Sequence, residues 1–283
     1  MPDPYAAWLE RDVLAATGPE AAIFLQGQLS QDVLALSDGD SAWSWVLAPT
    51  GKVDALVRVI RVSDDEWLLD TDSGWGEAVL ARLNRFKLRT KVSLETLPWK
   101  VLGLRFVGTV EIGPSGDAID VIAKWPPLLQ GVDRLGASPS VPDGWPVASP
   151  ADYEAKRIAA GLPKMGAELT EKTIPAETGL VELTASFTKG CYTGQELVAR
   201  IDSRGGHVPR HLRGLAMPGP VAVGTELVAP AADGQVVGVV TSAAQGVGGG
   251  WVGLAYVRRG VEPPVIVRAG SGGPEVEVRE LAP

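Results

Sequence analysis

The sequence is poor in the residues that hold metals and cross-links. Its 283 residues include one cysteine and two histidines. A single cysteine excludes an internal disulfide framework. It also excludes an iron–sulfur cluster held by this chain alone, since such clusters draw on several thiolates. His207 and His211 are separated by Pro209 and lie at no usual zinc spacing from the cysteine. They read as surface or loop residues, and no metal is expected. No run of about 18 apolar residues is present, so no membrane-spanning helix is expected. The segment Met1 to Glu10 has neither a basic n-region nor an apolar h-region, so a cytoplasmic protein without a secretory signal is expected. Positive charge is short as well: Lys+Arg 26 against Asp+Glu 34 leaves a net charge of −8. That balance disfavours broad nucleic-acid binding, although a local patch remains open.

What is present is an ordinary globular composition, 45% hydrophobic and 21% charged. Gly 34 and Pro 22 suit many turns and short strands. A helix is expected over residues 20–26 behind Gly18-Pro19, and another from Ser73 or Gly74 to about Arg85. Residues 43–47, 55–62 and 67–70 read as strands, the last two joined by the polar turn 63–66. Lys87, Arg89 and Lys91 alternate, which predicts one face of a strand; with Arg82 and Arg85 they make the most basic patch in the chain. It reads either as a solvated face or as a receptor for an anionic tail or RNA. Strands are expected at 101–107, 110–112 and 118–124. A loop follows over 136–150, and then a helix over 150–160 capped by Ser149 and stopped at Gly161. Residues 162–183 read as a loop. Beyond Gly205-Gly206 the pattern is all β: 212–216, 226–228, 235–241, 251–257, 265–268 and 276–280, a small barrel or sandwich. The glycine-rich stretch 246–250 reads as a hairpin tip.

The sequence is organised around Lys189-Gly190-Cys191-Tyr192-Thr193-Gly194-Gln195-Glu196. Thr193 and Glu196 have capping-box spacing, so a helix is expected from Thr193 to about Ser203. Cys191 would then precede a helix N-terminus, where the dipole and Lys189 both favour a thiolate. The other reading is a small buried hydrophobe.

This octet resembles the signature of the YgfZ family of folate-binding proteins, relatives of the glycine cleavage system T-protein. Further stretches resemble the family in the same order. These are the stretch from Gly18 through Phe24-Leu25-Gln26-Gly27-Gln28 to Asp32-Val33, then Gly51-Lys52, Arg157 through Pro163, residues 237–242 and residues 253–259. The resemblance implies an α+β fold, a T-protein-like ring of three subdomains. Two intertwined subdomains would occupy residues 1–205 and form the folate-binding unit, and a C-terminal all-β barrel would occupy 206–283. It implies tetrahydrofolate or a derivative as cofactor, iron–sulfur client proteins as partners, and a role in iron–sulfur enzyme maintenance or tRNA modification. Cys191 is then the key residue, supported by Lys189. Gln26, Gln28, Asp70, Tyr192, Gln195, Glu196 and Arg200 are the candidate cofactor-binding residues.

Two positions depart from the T-protein pattern. Where that protein has an acidic pair in a strand, this chain has Asp54-Ala55-Leu56-Val57, so aminomethyl transfer is not expected. Where many relatives have a pterin-pairing glutamate, this chain has Ala159; Glu168, Glu177 or Asp70 are the candidate replacements. Three readings follow: a folate-binding accessory protein, a tetrahydrofolate-dependent aminomethyltransferase or demethylase, and an interaction protein that keeps the fold without folate.

Overall fold

The structure is a computed structural model that describes residues 4–229, 234–246 and 248–281. Three sheets organise it. The first is a five-stranded antiparallel sheet of β2 (Arg11–Thr17), β3 (Ser41–Leu47), β4 (Val53–Arg61), β5 (Glu66–Asp72) and β6 (Ser93–Leu97). Its order is β3-β4-β5-β2-β6. The second has four antiparallel strands, β1 (Tyr5–Leu9), β7 (Lys100–Arg105), β8 (Ile119–Ala123) and β9 (Gly131–Gly136), in the order β1-β7-β9-β8. The third is a closed barrel of β10 (Arg210–Met217), β11 (Glu226–Val228), β12 (Val236–Gln245), β13 (Trp251–Arg258), β14 (Val265–Ala269) and β15 (Glu275–Arg279). Closure leaves no sheet edge for another chain to pair with. Five α-helices complete the fold among the described residues: α1 (Ala21–Gln28), α2 (Gly76–Lys87), α3 (Pro150–Ala159), α4 (Val181–Thr184) and α5 (Gln195–Asp202). No helix among the described residues is long and apolar enough to cross a membrane.

Period-two alternation assigns the two faces of the central sheet. Leu14, Ala16, Ala55, Val57, Val59, Trp67 and Leu69 face α1 and α2 in the largest core. Val13, Ala15, Ile60 and Leu68 point the other way, onto Val101, Val121 and Leu135 of the four-stranded sheet. Both faces of β2 and β4 are therefore buried. The barrel has its own interior, built on Leu215, Leu227, Val240, Val257, Val267, Val276 and Val278. Ile158 of α3 packs against Leu212, Leu254 and Tyr256 on its outside, which docks the barrel to the rest.

The six barrel strands fall where the sequence places them. Gly246 N–H donates to Gly250 O at 2.7 Å and closes the β12–β13 tip, with residue 247 outside the described residues. Several local expectations are corrected. Residues 110–112 form no strand, and β1, β2, β6 and β9 appear where none was expected. The helix after Gly18-Pro19 begins at Ala21 and continues through Gly27. α2 runs to Lys87, so Lys87, Arg89 and Lys91 lie at a helix end and the turn after it, not along a strand. α5 begins at Gln195 and not Thr193, because Gly194 sits at the N-cap with φ 81° and no side chain caps the end. The loop expected over 162–183 holds a 3-10 turn at Pro175–Thr178 and the start of α4. The Ser149 cap of α3 forms as expected: its Oγ accepts from Asp152 N–H at 3.1 Å.

Candidate functional site: a charged cleft between two sheets and an exposed thiol

The alternation that builds the inter-sheet core also builds a cleft. Two residues along each strand from an apolar contact, the same face carries a charge. Val13 is followed by Arg11, Ile60 by Arg58, Leu68 by Asp70 and Leu135 by Asp133. On β7 the position after Val101 is Gly103, and Arg105 comes next. A Cβ on Gly103 would lie 2.8 Å from Arg105 Nη2, so the glycine makes room for that guanidinium. The sheets thus close on apolar side chains at one end and part around charges at the other. The resulting cleft holds about 420 Å³, with α3 along its third side.

The charges form one continuous chain. Arg11 donates to Asp72 Oδ1 at 2.9 Å and to Asp70 Oδ1 at 2.7 Å, and Arg58 Nε donates to Asp70 Oδ2 at 2.8 Å. Arg58 Nη1 reaches Asp133 Oδ2, Arg105 Nη1 lies 2.7 Å from Asp133 Oδ1, and Arg105 Nη2 lies 3.3 Å from the Tyr153 hydroxyl. Arg58, Asp70, Arg105 and Asp133 are all buried. Burial alone would lower the Arg58 and Arg105 guanidinium pKa values, but the facing carboxylates more than offset it and hold both above the ordinary range. Burial would likewise raise the Asp133 carboxyl, and Arg105 and Arg58 pull it below the ordinary range instead. Arg105 Nε is buried without a hydrogen-bond partner among the described residues, while Asp133 Oδ1 is held by the Arg105 ion pair.

Aromatic rings supply the other walls. Trp8, Trp43, Trp125 and Tyr153 line the cleft, and Trp43 meets Trp125 edge to face at 5.6 Å. The Arg11 guanidinium stands 5.3 Å from the Trp43 ring centre. Glu154 and Arg157 complete the α3 side, paired through Nε–Oε2 at 2.8 Å and Nη2–Oε1 at 2.7 Å. Burial would raise Glu154, but the hydrogen bonds from Arg157 outweigh it and keep the carboxyl low. Flat apolar walls facing a floor of paired donors and acceptors suit a planar heteroaromatic ligand with a polar edge.

The octet forms a separate structure, a rigid mount for Cys191. Lys189 Nζ donates to the carbonyls of Gln26, Leu29 and Gln31 at 2.6, 2.7 and 2.8 Å, closing the C-terminal end of α1. Burial pulls its pKa down to about 8, against the charge of Asp32. Thr193 N–H donates to Gly27 O at 3.2 Å, and Gln195 Oε1 accepts from Tyr192 N–H at 3.2 Å. Tyr192 is buried, and burial pushes its hydroxyl up to about 12. A Cβ on Gly194 would stand 2.5 Å from Ala48 O, and one on Gly51 would stand 2.4 Å from Leu197 Cβ. Both glycines have positive φ, so the octet and the β3–β4 turn fit only as glycine against glycine. Within this frame Gly190, Cys191 and Glu196 are exposed. The buried-hydrophobe reading of Cys191 is thereby excluded, and the Lys189 ammonium is committed to three carbonyls in and just after the last turn of α1.

Of the residues singled out by sequence, Asp70 alone lines the cleft, with both oxygens held by arginines. Gln26 bridges Asp32 and Val33 N–H, and Gln28 accepts from Arg82 at 3.2 Å. Tyr192 and Gln195 serve the octet frame, and Glu196 and Arg200 are exposed on α5. Glu168 is buried between Arg157 and Ser242, and Glu177 is held by Arg210 at 3.0 and 3.1 Å; neither lines the cleft. Ala159 is exposed on α3 away from the cleft lining, and Asp54 pairs with Arg82 at 3.0 Å outside it. Of the cleft residues that sequence reading passed over, Arg58 carried a signal: it is the one charge inside the otherwise apolar run 55–60. No cluster of three or more potential metal ligands occurs among the described residues.

The chain matches no family model. It is 30% identical over 284 residues to the mouse (Mus musculus) iron–sulfur cluster assembly factor IBA57, mitochondrial, covering 88% of this chain and 75% of that one. It is 30% identical over 198 residues to an uncharacterized protein of Haemophilus influenzae, covering 68% and 66%. It is also 26% identical over 227 residues to an IBA57 homologue of Neurospora crassa, covering 69% and 49%. The chain thus spans between about half and two thirds of the length of these last two relatives. Among solved structures, the glycine cleavage system aminomethyltransferase T of Bartonella henselae superposes with a TM-score of 0.81 and 20% identity, over 98% of this chain and 85% of that one. The fold is therefore T-protein-like, with mixed helices and sheets and a closed six-stranded barrel.

Proposed function

The chain belongs to the IBA57/YgfZ family, and on that premise we propose that it is a folate-binding accessory protein of iron–sulfur cluster assembly. The observation that carries the reading is the cleft: aromatic walls facing a buried charge ladder. Those features fit a reduced folate. Trp43, Trp125 and Tyr153 would hold its flat ring, and the Glu154–Arg157 pair would take its polar edge. A bound tetrahydrofolate supplies a carrier for a one-carbon unit. This chain contributes burial, orientation and exclusion of water around it. Asp54 lies outside the cleft with its carboxylate on Arg82, which supports an accessory role over aminomethyl transfer. Cys191 is proposed to meet a cluster or a client protein from its exposed mount, with tetrahydrofolate in the cleft. Cytoplasmic iron–sulfur enzymes, among them tRNA-modifying ones, are the proposed clients.

The test is complementation in cells deprived of the native protein, reading the activity of an iron–sulfur enzyme. Wild type should restore it, and Cys191→Ser, at equal abundance, should not. Full restoration by Cys191→Ser would remove the thiol from the mechanism. Failure of the wild type would refute the role itself.

A further inference from the structure

The basic segment 82–91 takes no part in the cleft. Between Glu77 and Glu95 the chain carries Arg82, Arg85, Lys87, Arg89 and Lys91 and no acid, in a protein of net charge −8. Arg82 is neutralised by Asp54 at 3.0 Å, and its guanidinium lies 4.0 Å from the Phe86 ring centre. Arg85, Arg89 and Lys91 are exposed and Lys87 is half-buried. Burial keeps Arg82 below its ordinary value despite Asp54, so the uncompensated positive charge of this face rests on the exposed cations around it. Nearby, Glu20 accepts from the Lys91 backbone N–H.

Two apolar features accompany these cations. Leu88 is 90% exposed at the end of α2, and it has the only positive φ, 46°, among the described non-glycine residues. Beside α2 runs a groove of about 600 Å³ with Trp75, Val79, Met165 and Leu169 in its lining and Arg82 and Arg85 among its charged residues. It shares no lining residue with the cleft between the sheets.

We propose that this face docks an acidic amphipathic segment of a partner protein. Apolar side chains of the segment enter the groove against Trp75 and Met165, and its carboxylates lie on Arg85 and Arg89. Charge complementarity selects the sign of the partner, and the apolar groove with Leu88 selects protein over RNA. A phosphate chain gains nothing from the exposed Leu88. The site stands independently of folate binding.

The test is fluorescence anisotropy with a labelled peptide of about 18 residues, or five helical turns, made of Glu and Leu with Leu at i, i+3, i+4 and i+7. The expected result is saturable binding that weakens with salt, is lost when Gln replaces Glu, and falls about tenfold or more in Arg85→Glu/Arg89→Glu. Both substituted residues are exposed, so circular dichroism should be unchanged. Leu88→Ala should weaken binding without altering its salt dependence. Absence of saturation at millimolar protein, or unchanged binding by the double variant, would overturn the proposal. Tighter binding of a labelled oligouridylate would overturn it as well and assign the face to nucleic acid.

Discussion

Lys189→Met separates two roles for the lysine of the octet. In the structure its ammonium donates to three carbonyls around the end of α1, at 2.6 to 2.8 Å. A hydrogen bond from a charged donor contributes about 1.5–3 kcal/mol, and here one partly desolvated ammonium serves all three. Its charge also complements the C-terminal pole of α1, adding about 0.3–1 kcal/mol. Methionine retains an apolar stem beside Tyr192, whose ring centre lies 5.1 Å from Nζ. The net loss expected is about 2–4 kcal/mol. Urea unfolding should show a lower midpoint at unchanged slope. Alkylation of Cys191 by iodoacetamide across pH gives the second readout, and its midpoint should move little. A stability loss under about 0.5 kcal/mol, together with a midpoint raised by about one pH unit or more, would refute the anchoring role. It would restore the sequence expectation that Lys189 activates the thiolate.

The charge ladder makes its own predictions. Arg58→Met strands Asp70 and Asp133 without a shared cation and should cost about 3–5 kcal/mol in urea unfolding; Arg61→Met, whose partners are exposed, should cost under about 1 kcal/mol. The Asp133 carboxyl is held below its unfolded value of 3.8, so its stabilising contribution is fully present above that pH and is lost as pH falls through its folded value. The melting temperature should therefore drop steeply below about pH 4, and more shallowly in Asp133→Asn; identical profiles would contradict the assignment. Gly194→Ala forces a Cβ to 2.5 Å from Ala48 O at φ 81° and should cost about 2–4 kcal/mol by thermal unfolding, with faster Cys191 alkylation as the mount loosens.

The barrel was legible because Gly- and Pro-containing turns separate its strands and β12, β14 and β15 largely alternate buried with more exposed positions. The strands of the other sheets were harder to read. β2 buries Val13 and Ala15 against one core and Leu14 and Ala16 against another, so no alternation shows. β6 has no buried residue and leaves little pattern to read. The octet announced that something is built at Cys191, but its Thr193–Glu196 spacing pointed to a cap that Gly194 displaces. Lys87, Arg89 and Lys91 alternate in sequence, yet Leu83 is buried and Phe86 half-buried along the last turns of a helix that runs to Lys87. The cleft was mostly hidden. Arg11, Arg58, Arg105 and Asp133 become neighbours only when two sheets join positions dozens of residues apart, and pairing at that range leaves no local periodicity.

Calorimetric titration of the reduced protein with tetrahydrofolate and folinic acid, in the wild type and in Trp43→Ala, tests the cleft most directly. One-site saturable binding by the wild type, weakened about tenfold or more by the loss of the Trp43 wall, is the expected result. No binding at millimolar ligand, or binding that Trp43→Ala leaves unchanged, would contradict the assignment of folate to this cleft.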